Sequence, residues 1–306
     1  MTQEHVIWPG AGRYLLAVSG GADSMVLLDI FACSAKQRGY ELVVAHFDHG
    51  MRTDSKLDRQ FVQAATESYS LPFVHATARL NYASEATARS ARHTWLAVQR
   101  DRMSALAILT AHHQDDLLET SLLNLARGTG RLGLAPMAPT ATILRPLLAL
   151  DRTQLRDYAA EHNIGWHEDS TNADTANPRN FLRLELLTRA SPIWRQRYLV
   201  LITSLANLNN KVDQSISDIL APAYVNQDVY SFSRELVRSR SDQATQEVLL
   251  AAARRLRPGI QIDQRLIQEI AHFAKTGYSG KLRPMRQGLT LSITKDTVNL
   301  TTKSPH

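Results

Sequence analysis

The sequence predicts an α/β fold with a doubly wound, mostly parallel sheet, followed by a helical connector and a small α+β domain. Several apolar segments lack polar alternation, which is typical of parallel strands covered on both faces. Segments with helical periodicity separate them, and this alternation favours right-handed crossovers within one sheet. The pattern then changes after a long helical segment that starts near residue 191. We therefore expect an α/β domain at 1–190, a connector at 191–222 and a C-terminal domain at 223–306.

The apolar segments and the periodic segments between them define the expected elements. The strands of the first domain are predicted at 15–18, 40–46, 73–76 and 106–111, with an extended segment at 144–148. Helices are predicted after the first strand and at 54–70, 84–103, 152–162 and 191–222, with helix starts near 112 and 178. The C-terminal domain is predicted to contain strands at 229–232, 289–293 and 297–301 and helices at 242–256 and 263–276.

Length and composition narrow the class of protein. A chain of 306 residues with 44% hydrophobic residues suits two globular domains, and it has no apolar run of membrane length. The N-terminal residues lack the features of a signal peptide, so we expect a cytoplasmic location and no membrane partner. Cys33 is the only cysteine, which excludes an intramolecular disulfide. Its helical, apolar surroundings predict a small buried hydrophobe.

A glycine turn after the first predicted strand has the features of a phosphate-binding loop. It comprises Ser19, Gly20, Gly21, Ala22, Asp23 and Ser24. Glycines allow a sharp turn whose N–H groups, with the N terminus of the next helix, can face an anion. A carboxylate at Asp23 would repel a phosphate unless a divalent cation lay between them, which predicts Mg²⁺ at this residue. The alternative is an ordinary strand-to-helix turn that Ser24 caps.

Acidic residues and histidine crowd the segment 110–120. His112 and Asp116, like Asp115 and Glu119, lie one helical turn apart. Zinc ligation is one interpretation, although no His-Glu-x-x-His or cysteine spacing accompanies these residues. A second is that the acids merely favour the first turn of a helix. A third, which we prefer, is that Asp115 and Asp116 hold a cation or a substrate amine.

Other candidate residues follow strand ends or start helices. In an open parallel sheet, ligands bind outside the C-terminal strand ends, where Ser19, His46 and His112 would emerge. Arg127 and Gly128 begin a glycine-rich loop that could equally be an ordinary helix C-cap. After Pro178, two arginines are spaced one turn apart on a predicted helix, Arg179 and Arg183.

The net charge of +6 comes mainly from arginine, which suits a polyanionic partner. The C-terminal half is rich in basic residues, and these are Arg254, Arg255, Arg257, Arg265, Lys275, Lys281, Arg283 and Arg286. They predict contact with RNA phosphates. The alternative is a solvated basic surface, since the sequence does not show that they share a face.

Taken together and in order, the motifs resemble one family, the tRNA(Ile)-lysidine synthetases, which belong to the PP-loop ATP pyrophosphatases. The matching segments are 19–24, 46–52, 85–89, 110–120, 127–128, 145–147 and 169–172, with Arg179, Asn180 and Arg183. The resemblance covers most of the first 190 residues. Met51 and His93 depart mildly from the family pattern, and the C-terminal half carries no matching motif.

The resemblance implies a two-step reaction on the wobble cytidine of tRNA(Ile) with a CAU anticodon. ATP adenylates the 2-carbonyl oxygen of the base and releases pyrophosphate, and the side-chain amine of L-lysine then displaces AMP. The implied catalytic residues are Asp23, His112, Asp115, Asp116, Glu119 and Arg89. The implied ATP-binding residues are Ser19 to Ser24, His46, Arg127 and Gly128, with Mg²⁺ at Asp23. The implied tRNA-binding residues are Arg179, Asn180, Arg183, Arg254, Arg255 and Arg283, and a homodimer is compatible with the family.

Three other functions remain open from the residues alone. A PP-loop tRNA thiolase would share the ATP loop but works through cysteines, and this chain has one. A small-molecule ATP-dependent synthetase or amidotransferase would need no tRNA. A non-catalytic RNA-binding module would consume no ATP.

Overall fold

The computed structural model describes residues 2–48, 55–78, 85–167, 177–226 and 228–302. The chain divides into two compact units, Met1–Ala206 and Asn207–His306. The boundary between them falls inside the long helix that the sequence predicts as a connector. Within the described residues, no helix is both long and apolar enough to cross a membrane.

The first unit contains a parallel five-stranded sheet, which confirms the predicted fold class. Its strands are β1 Gly12–Ala17, β2 Tyr40–Asp48, β3 Phe73–Thr77, β4 Ala107–Leu109 and β5 Ile143–Leu144, in the spatial order β3-β2-β1-β4-β5. All four neighbouring pairs are parallel. The strand order reverses direction beside β1, which places the switch point between β1 and β4.

Helices cover both faces of this sheet and then extend the unit. They are α1 Ala22–Arg38, α2 Ser55–Ser68, α3 Glu85–Arg102, α4 Gln114–Ala126, α5 Arg131–Leu134, α6 Arg152–Glu161, α7 Pro178–Phe181 and α8 Pro192–Leu220. A 3₁₀ turn covers Thr2–His5, and a π-helical segment, Leu182–Leu187, follows α7. Local chemistry explains the helix starts: Asp151 accepts from the N–H of Gln154 at 2.9 Å, and Asn177 caps α7 just before Pro178.

The core of the first unit forms on both faces of the sheet because successive strand residues point in opposite directions. Leu16 and Val44 pack with α1, while Leu15 and Val43 pack on the other side with Leu96 of α3. These strand residues are all buried. The sheet is therefore covered on both faces, as apolar strands without alternation predict.

The buried carboxylate of Asp29 links α1 to the end of α2 and to α6 through hydrogen bonds. Asp29 of α1 accepts hydrogen bonds from the hydroxyl of Tyr69, which follows α2, at 2.6 Å and from that of Tyr158 of α6 at 2.7 Å. Burial, reinforced by these bonds, raises the pKa of both tyrosines. Cys33 lies one turn further along α1, with its sulfur 3.8 Å from Asp29. The prediction that Cys33 is buried is wrong, because its position on the helix turns it to the surface.

Among its described residues, the second unit has an antiparallel sheet, the C-terminal part of α8 and three further helices. Its strands are β6 Tyr224–Val225, β7 Val229–Ser233, β8 Leu282–Pro284, β9 Thr290–Ile293 and β10 Thr297–Thr301, in the order β6-β7-β10-β9-β8. Its helices are α9 Arg234–Arg238, α10 Asp242–Leu256 and α11 Gln264–Thr276. The two longer helices and three longer strands match the predictions closely. The sequence analysis missed β6, α9 and β8, each of five residues or fewer.

Two further expectations in the first unit differ from the structure. The strand predicted at 106–111 pairs only over Ala107–Leu109, because the chain beyond it turns into the polar segment that opens α4. The loop predicted at 127–133 contains the short helix α5, Arg131–Leu134. Asn124 stabilises this turn by donating to the carbonyl of Gly133 at 2.8 Å, a contact that sequence periodicity does not indicate.

We predict that Tyr158→Phe lowers the free energy of unfolding by roughly 1.5–3 kcal/mol, the range for a buried hydrogen bond to a charged group. The measurement is urea denaturation followed by circular dichroism. Tyr278→Phe is the control, since Tyr278 is 83% exposed and should change stability little. Equal effects of the two changes would contradict a stabilising role for the Asp29 contact.

Candidate functional site

The turn between β1 and α1 is organised by one serine hydroxyl. Ser24 Oγ accepts from the backbone N–H groups of Ser19 and Gly20, both at 3.1 Å, and donates to the carbonyl of Gly21 at 2.8 Å. The hydroxyl of Ser19 lies 3.1 Å from the same oxygen. Ser24 is buried. Its side chain therefore braces the loop from inside instead of facing a ligand.

The two glycines of this loop differ in what they require. Gly20 has φ +98°, and a Cβ there would lie 3.3 Å from Val62. Gly21 has φ −76° and ψ 160°, which any residue adopts, and its nearest neighbour to an added Cβ is the Ser19 hydroxyl at 3.8 Å. The conformation thus demands glycine only at Gly20. At Gly21 the missing side chain instead leaves the approach to the loop open.

The N terminus of α1 is available to an anion. Gly21 is its N-cap residue, and within the described residues no side chain caps this end. The first N–H groups of a helix have no partner within the helix, and the helix dipole adds a partial positive charge. Ala22 is buried, so it contributes through its backbone, whereas the side chain of Asp23 is 33% exposed. The geometry is that of a phosphate site with one carboxylate at its edge.

His46 lies directly behind this loop. Its Nδ1 is 2.9 Å from the carbonyl of Val18, so Nδ1 carries the proton that it donates. Burial lowers the pKa of His46, which keeps the ring neutral. Its buried Nε2 has no hydrogen-bond partner among the described residues and is left as an acceptor. It can receive a donor group of a bound nucleotide, but it cannot pair with a phosphate oxygen.

His113 connects the loop to the acidic segment. It is fully buried, and its Nε2 lies 3.4 Å from a carboxylate oxygen of Asp23 and 3.5 Å from one of Asp116. Its Nδ1 lies 3.5 Å from Asp115. Neither ring nitrogen forms a hydrogen bond of good geometry with the described residues, so the attraction is chiefly between charges. The sequence analysis did not assign His113 a role.

Burial opposes a charge on His113, but Asp115, Asp23 and Asp116 outweigh it and raise its pKa to about 9. The pKa of Asp115 is shifted well below its ordinary value, because contacts with His113, the N–H of Arg152 and Arg195 overcome the opposing effect of burial. The pKa of Asp116 is lowered in the same way by His113, His112 and Arg179. At neutral pH these groups are therefore an imidazolium among carboxylates.

Arg179 and Arg183 complete this cluster from α7 and the π-helical segment. Arg179 donates to Glu119 at 2.8 Å and to Asp116 at 3.0 Å. Arg183 donates to both oxygens of Glu119, at 2.7 and 3.0 Å. Glu119 is fully buried between them. The structure thus brings together residues that the sequence assigned separately to lysine and to tRNA, while their neighbour Asn180 is buried.

Asp115 is held from a different direction. One oxygen accepts from the backbone N–H of Arg152 at 2.9 Å, and the other contacts the guanidinium of Arg195 at the start of α8. Sequence reasoning missed Arg195, because no local pattern relates it to a residue 80 positions earlier. Asp115 therefore joins α4, α6 and α8, and both of its oxygens are already occupied.

His112 lies between β4 and α4, directly before His113. Its Nδ1 lies 2.8 Å from the hydroxyl of Thr110. Burial, together with the nearby charges of Arg145, Arg89 and Arg92, lowers its pKa to about 4, although Asp116 acts in the opposite direction. His112 is consequently neutral while His113, one residue later, is charged.

Some predicted site residues are not brought to the loop. Arg127 and Gly128 follow the C-terminal end of α4, and Arg127 lies about 17 Å along the helix axis from Asp116. Their ATP-binding role stays a prediction without structural support. The predicted motif residues 49–52 and 169–172 lie outside the described residues.

The basic residues of the second unit divide into two groups. Arg283 pairs with Glu269 at 2.5 Å, Arg286 with Asp263 at 2.5 Å and Lys275 with Asp242 at 2.6 Å. Arg255 donates to the Tyr230 hydroxyl at 2.6 Å. Arg254 is exposed and has no ion pair with the described residues. Intramolecular partners therefore offset part of the positive charge predicted for RNA, and the RNA-binding role stays a prediction.

The described residues contain no group of three or more histidine, cysteine, aspartate or glutamate side chains arranged to hold a metal ion by themselves. This excludes a closed zinc site among them. It still fits Mg²⁺, which is commonly bound by one or two carboxylates together with substrate phosphates. Asp23 is the partly exposed carboxylate beside the helix N terminus and matches that requirement.

Comparison with known proteins identifies the family of the first unit. The family described as the PP-loop domain matches residues 2–190. The chain belongs to the PP-loop family. The match includes the loop of residues 19–24, the parallel sheet and the N terminus of α1, and the ATP-binding role of the loop residues stays a prediction.

Curated relatives of this PP-loop chain are tRNA(Ile)-lysidine synthases, which confirms the resemblance seen in the motifs. The Thermus thermophilus enzyme is 44% identical over 177 residues, covering 56% of this chain and 34% of the relative. The Gloeobacter violaceus enzyme is 34% identical over 218 residues, covering 69% and 66% of the two chains. The chain therefore spans between about a third and two thirds of the length of these relatives.

Among solved structures, a U34-tRNA thiolase from Methanococcus maripaludis with its [4Fe–4S] cluster is similar, with a TM-score of 0.55 and 12% identity. The match covers 67% of this chain and 77% of the thiolase chain. At this identity the likeness establishes a shared fold.

We predict that substitution of Gly20 affects mainly stability, whereas substitution of Gly21 affects mainly nucleotide binding. Gly20→Ala should destabilise the protein by roughly 1–3 kcal/mol, because alanine at positive φ is strained. Gly21→Ala should leave the unfolding midpoint close to that of the wild type but weaken ATP binding, since its Cβ enters the approach to the loop. Thermal unfolding and ATP titration calorimetry measure the two quantities. Equal loss of stability in both variants would contradict the assignment.

A second prediction concerns pH. The pKa of His113 in the fold, about 9, exceeds the value near 6.5 of an unfolded histidine, so its imidazolium stabilises the protein fully below pH 6.5. That contribution, up to roughly 3 kcal/mol, is lost as the pH rises through 9. His113→Asn should therefore flatten the fall in unfolding free energy between pH 6.5 and 9. His272→Asn, at an exposed position, is the control and should retain the wild-type slope.

Proposed function

We propose that this protein ligates L-lysine to C2 of the wobble cytidine of tRNA(Ile) with a CAU anticodon, forming lysidine and releasing AMP and pyrophosphate. The observation that carries the proposal is the contact of His113 with Asp23 of the PP-loop and with Asp115 and Asp116 of α4. It joins an ATP-binding loop to carboxylates suited to an amine. The substrates are inferred from the similarity to tRNA(Ile)-lysidine synthases.

In the first step, the loop and the α1 N terminus bind the ATP phosphates. Their N–H groups hold the phosphates in place, and Asp23 would hold Mg²⁺, which supplies positive charge to the reacting phosphates. The neutral Nε2 of His46 accepts a hydrogen bond from the nucleoside. The carbonyl oxygen of the cytidine then attacks the α-phosphate, and adenylation turns a poor leaving oxygen into a good one. The base must be turned out of its loop for this reaction.

In the second step, the lysine amine attacks the activated carbon. The three acids differ in what they can offer it. Glu119 is fully buried between two arginines, and Asp115 is committed to Arg152 and Arg195. Asp116 is also paired, since it accepts from Arg179 at 3.0 Å and from the backbone N–H of His113 at 3.1 Å, but only one guanidinium N–H of the described residues hydrogen-bonds to it. We therefore assign the amine contact chiefly to Asp116, where an incoming ammonium would compete with Arg179. A carboxylate there binds the ammonium and accepts the proton that the attacking amine must lose.

For tRNA, we propose that Arg179 and Arg183 lie near the reacting base, because they border the acids. Arg254, Arg255 and Arg283 of the second unit would hold the stem through phosphates, which positions an RNA without reading its sequence. A cytoplasmic location and a homodimer remain hypotheses, and sedimentation of the protein with and without tRNA tests the latter.

Sulfur transfer is the competing function, since a tRNA thiolase shares the fold. The chain has a single cysteine, which cannot provide the several thiolates of an iron–sulfur cluster. Cys33 lies on α1 beside Asp29, about three helical turns from the loop. Cys33→Ala should retain full tRNA modification, whereas loss of modification in a folded variant would favour thiolation.

The experiment that tests the proposal incubates the protein with ATP, radiolabelled lysine and either of the two CAU-anticodon tRNAs, the isoleucine and the methionine acceptor. Stable label on the isoleucine tRNA alone is the expected result. ATP consumption without label on either tRNA would point to a small-molecule synthetase. Binding of tRNA without ATP consumption would point to a binding module.

We predict that Asp23→Ala lowers the rate of tRNA-dependent pyrophosphate release about a hundredfold, since the loss of a metal or electrostatic contact of roughly 3 kcal/mol in the transition state has that effect. Asp101→Ala is the matched control, because Asp101 is exposed near the end of α3 and pairs with Arg100. A rate for Asp23→Ala within tenfold of the wild type would remove Asp23 from the mechanism.

A further inference from the structure

Basic side chains gather at the ends of β4 and β5, beside the PP-loop site but separate from it. The N–H of Thr110 donates to the carbonyl of Leu144 at 3.1 Å, so the residues that follow these two strands emerge side by side. His112 follows β4 and Arg145 follows β5 directly. Both therefore lie at the C-terminal edge of the sheet.

Helix α3 brings further basic residues to the same edge. It connects two parallel strands, β3 and β4, so it runs against the strand direction and begins at the C-terminal edge. Arg89, Arg92 and His93 lie one or two turns before the buried Leu96 and share its side of the helix. The neighbouring Trp95 packs 5.5 Å from the ring of Phe47, near the end of β2. The first turns of α3 are thus fixed above the ends of the strands.

No carboxylate among the described residues offsets the charge of Arg145, and the charge that acts on it is that of Arg89. Arg145 donates from Nη1 to the carbonyls of Met137 and Ala138, at 3.3 and 3.1 Å, and its buried Nε has no partner there. An unmet N–H on a partly buried guanidinium can donate to a bound anion.

The electrostatic effects on the neighbouring groups agree with this geometry. Burial lowers the pKa of His93, and the charges of Arg92, Arg89 and Arg145 lower it further. The pKa of Arg145 is lowered by burial and then by Arg89. The arginines are therefore close enough to repel one another, and an anion between them would relieve that repulsion.

We propose that Arg89 and Arg145 form a second anion site that holds a phosphate of the RNA backbone next to the reacting base. The inference rests on the proposed function, because the RNA substrate is part of that proposal. Guanidinium groups match phosphate oxygens in pairs, which favours a phosphate over a single carboxylate. Arg145 follows β5, two strand spacings or about 10 Å from β1, so the site lies beyond the phosphates bound at the PP-loop. A backbone phosphate fixed there would hold the flipped nucleotide beside Asp116.

The test is the salt dependence of tRNA binding, measured by filter binding without ATP from 50 to 300 mM salt. Losing one phosphate contact should reduce the slope of log K against log salt by about 0.7–0.9. We expect that reduction in Arg89→Gln. Arg13→Gln is the matched control: it removes the same charge from the opposite edge of the sheet, where Arg13 pairs with Glu41 at 2.6 Å. Its slope should equal that of the wild type.

Arg145→Lys is a second variant, which keeps the positive charge but loses the planar guanidinium that can donate two hydrogen bonds to one phosphate. It should weaken tRNA binding at every salt concentration with little change in slope. Circular dichroism confirms that each variant is folded. An unchanged slope in Arg89→Gln would overturn the proposal. An unchanged slope together with weaker inhibition by pyrophosphate would also overturn it and would assign the arginines to the nucleotide. An unchanged slope together with a raised KM for lysine alone would overturn it as well and would assign them to the lysine carboxylate.

Lysine transfer by the wild type separates this inference from the proposed function. A reduced slope in Arg89→Gln without lysine transfer by the wild type would support the phosphate site and overturn the proposed reaction. Lysine transfer by the wild type with an unchanged slope in Arg89→Gln would support the proposed reaction and overturn the phosphate site.

Discussion

A buried imidazolium between carboxylates is the interaction on which the site depends. His113 has no exposed surface, and three acids from two different elements lie within 3.5 Å of its ring nitrogens. Without it, Asp23 of the loop and the first turn of α4 would repel each other across a poorly solvated space. With it, the loop of residues 19–24 and the acidic start of α4 are held next to one another. The geometry of the candidate site is thus held by charge as well as by the sheet.

The arginines complete this balance. Among the described residues, four carboxylates, those of Asp23, Asp115, Asp116 and Glu119, face one imidazolium and the guanidinium groups of Arg179, Arg183 and Arg195. Buried charges are tolerated when each finds a partner of good geometry. The neutral cluster explains how so many acids fit into one helical turn. It also means that any cation entering the site competes with cations that are already in place.

The sheet, its order of elements and the loop at residues 19–24 could be predicted from the sequence, because each is written in local periodicity and turn chemistry. The acids of α4 were equally visible as a group. Arg195, His113 and the pairing of Arg179 with Glu119 could not be found this way, since their contacts join segments 60 to 90 residues apart. Gly20 and Gly21 look alike in the sequence, and only the backbone angles distinguish them. The burial of Cys33 was misjudged because an apolar helix still has one face toward solvent.

The bracing of the loop by Ser24 has a consequence for conformational entropy. Three hydrogen bonds through one hydroxyl fix Ser19, Gly20 and Gly21 before any ligand arrives. Ordering a residue costs about 1–2 kcal/mol, and here that cost belongs to folding instead of to binding. The affinity of any ligand bound at this loop is consequently linked to the local stability of the first turn of α1. Conditions that loosen this turn would weaken such binding while the rest of the sheet remains folded.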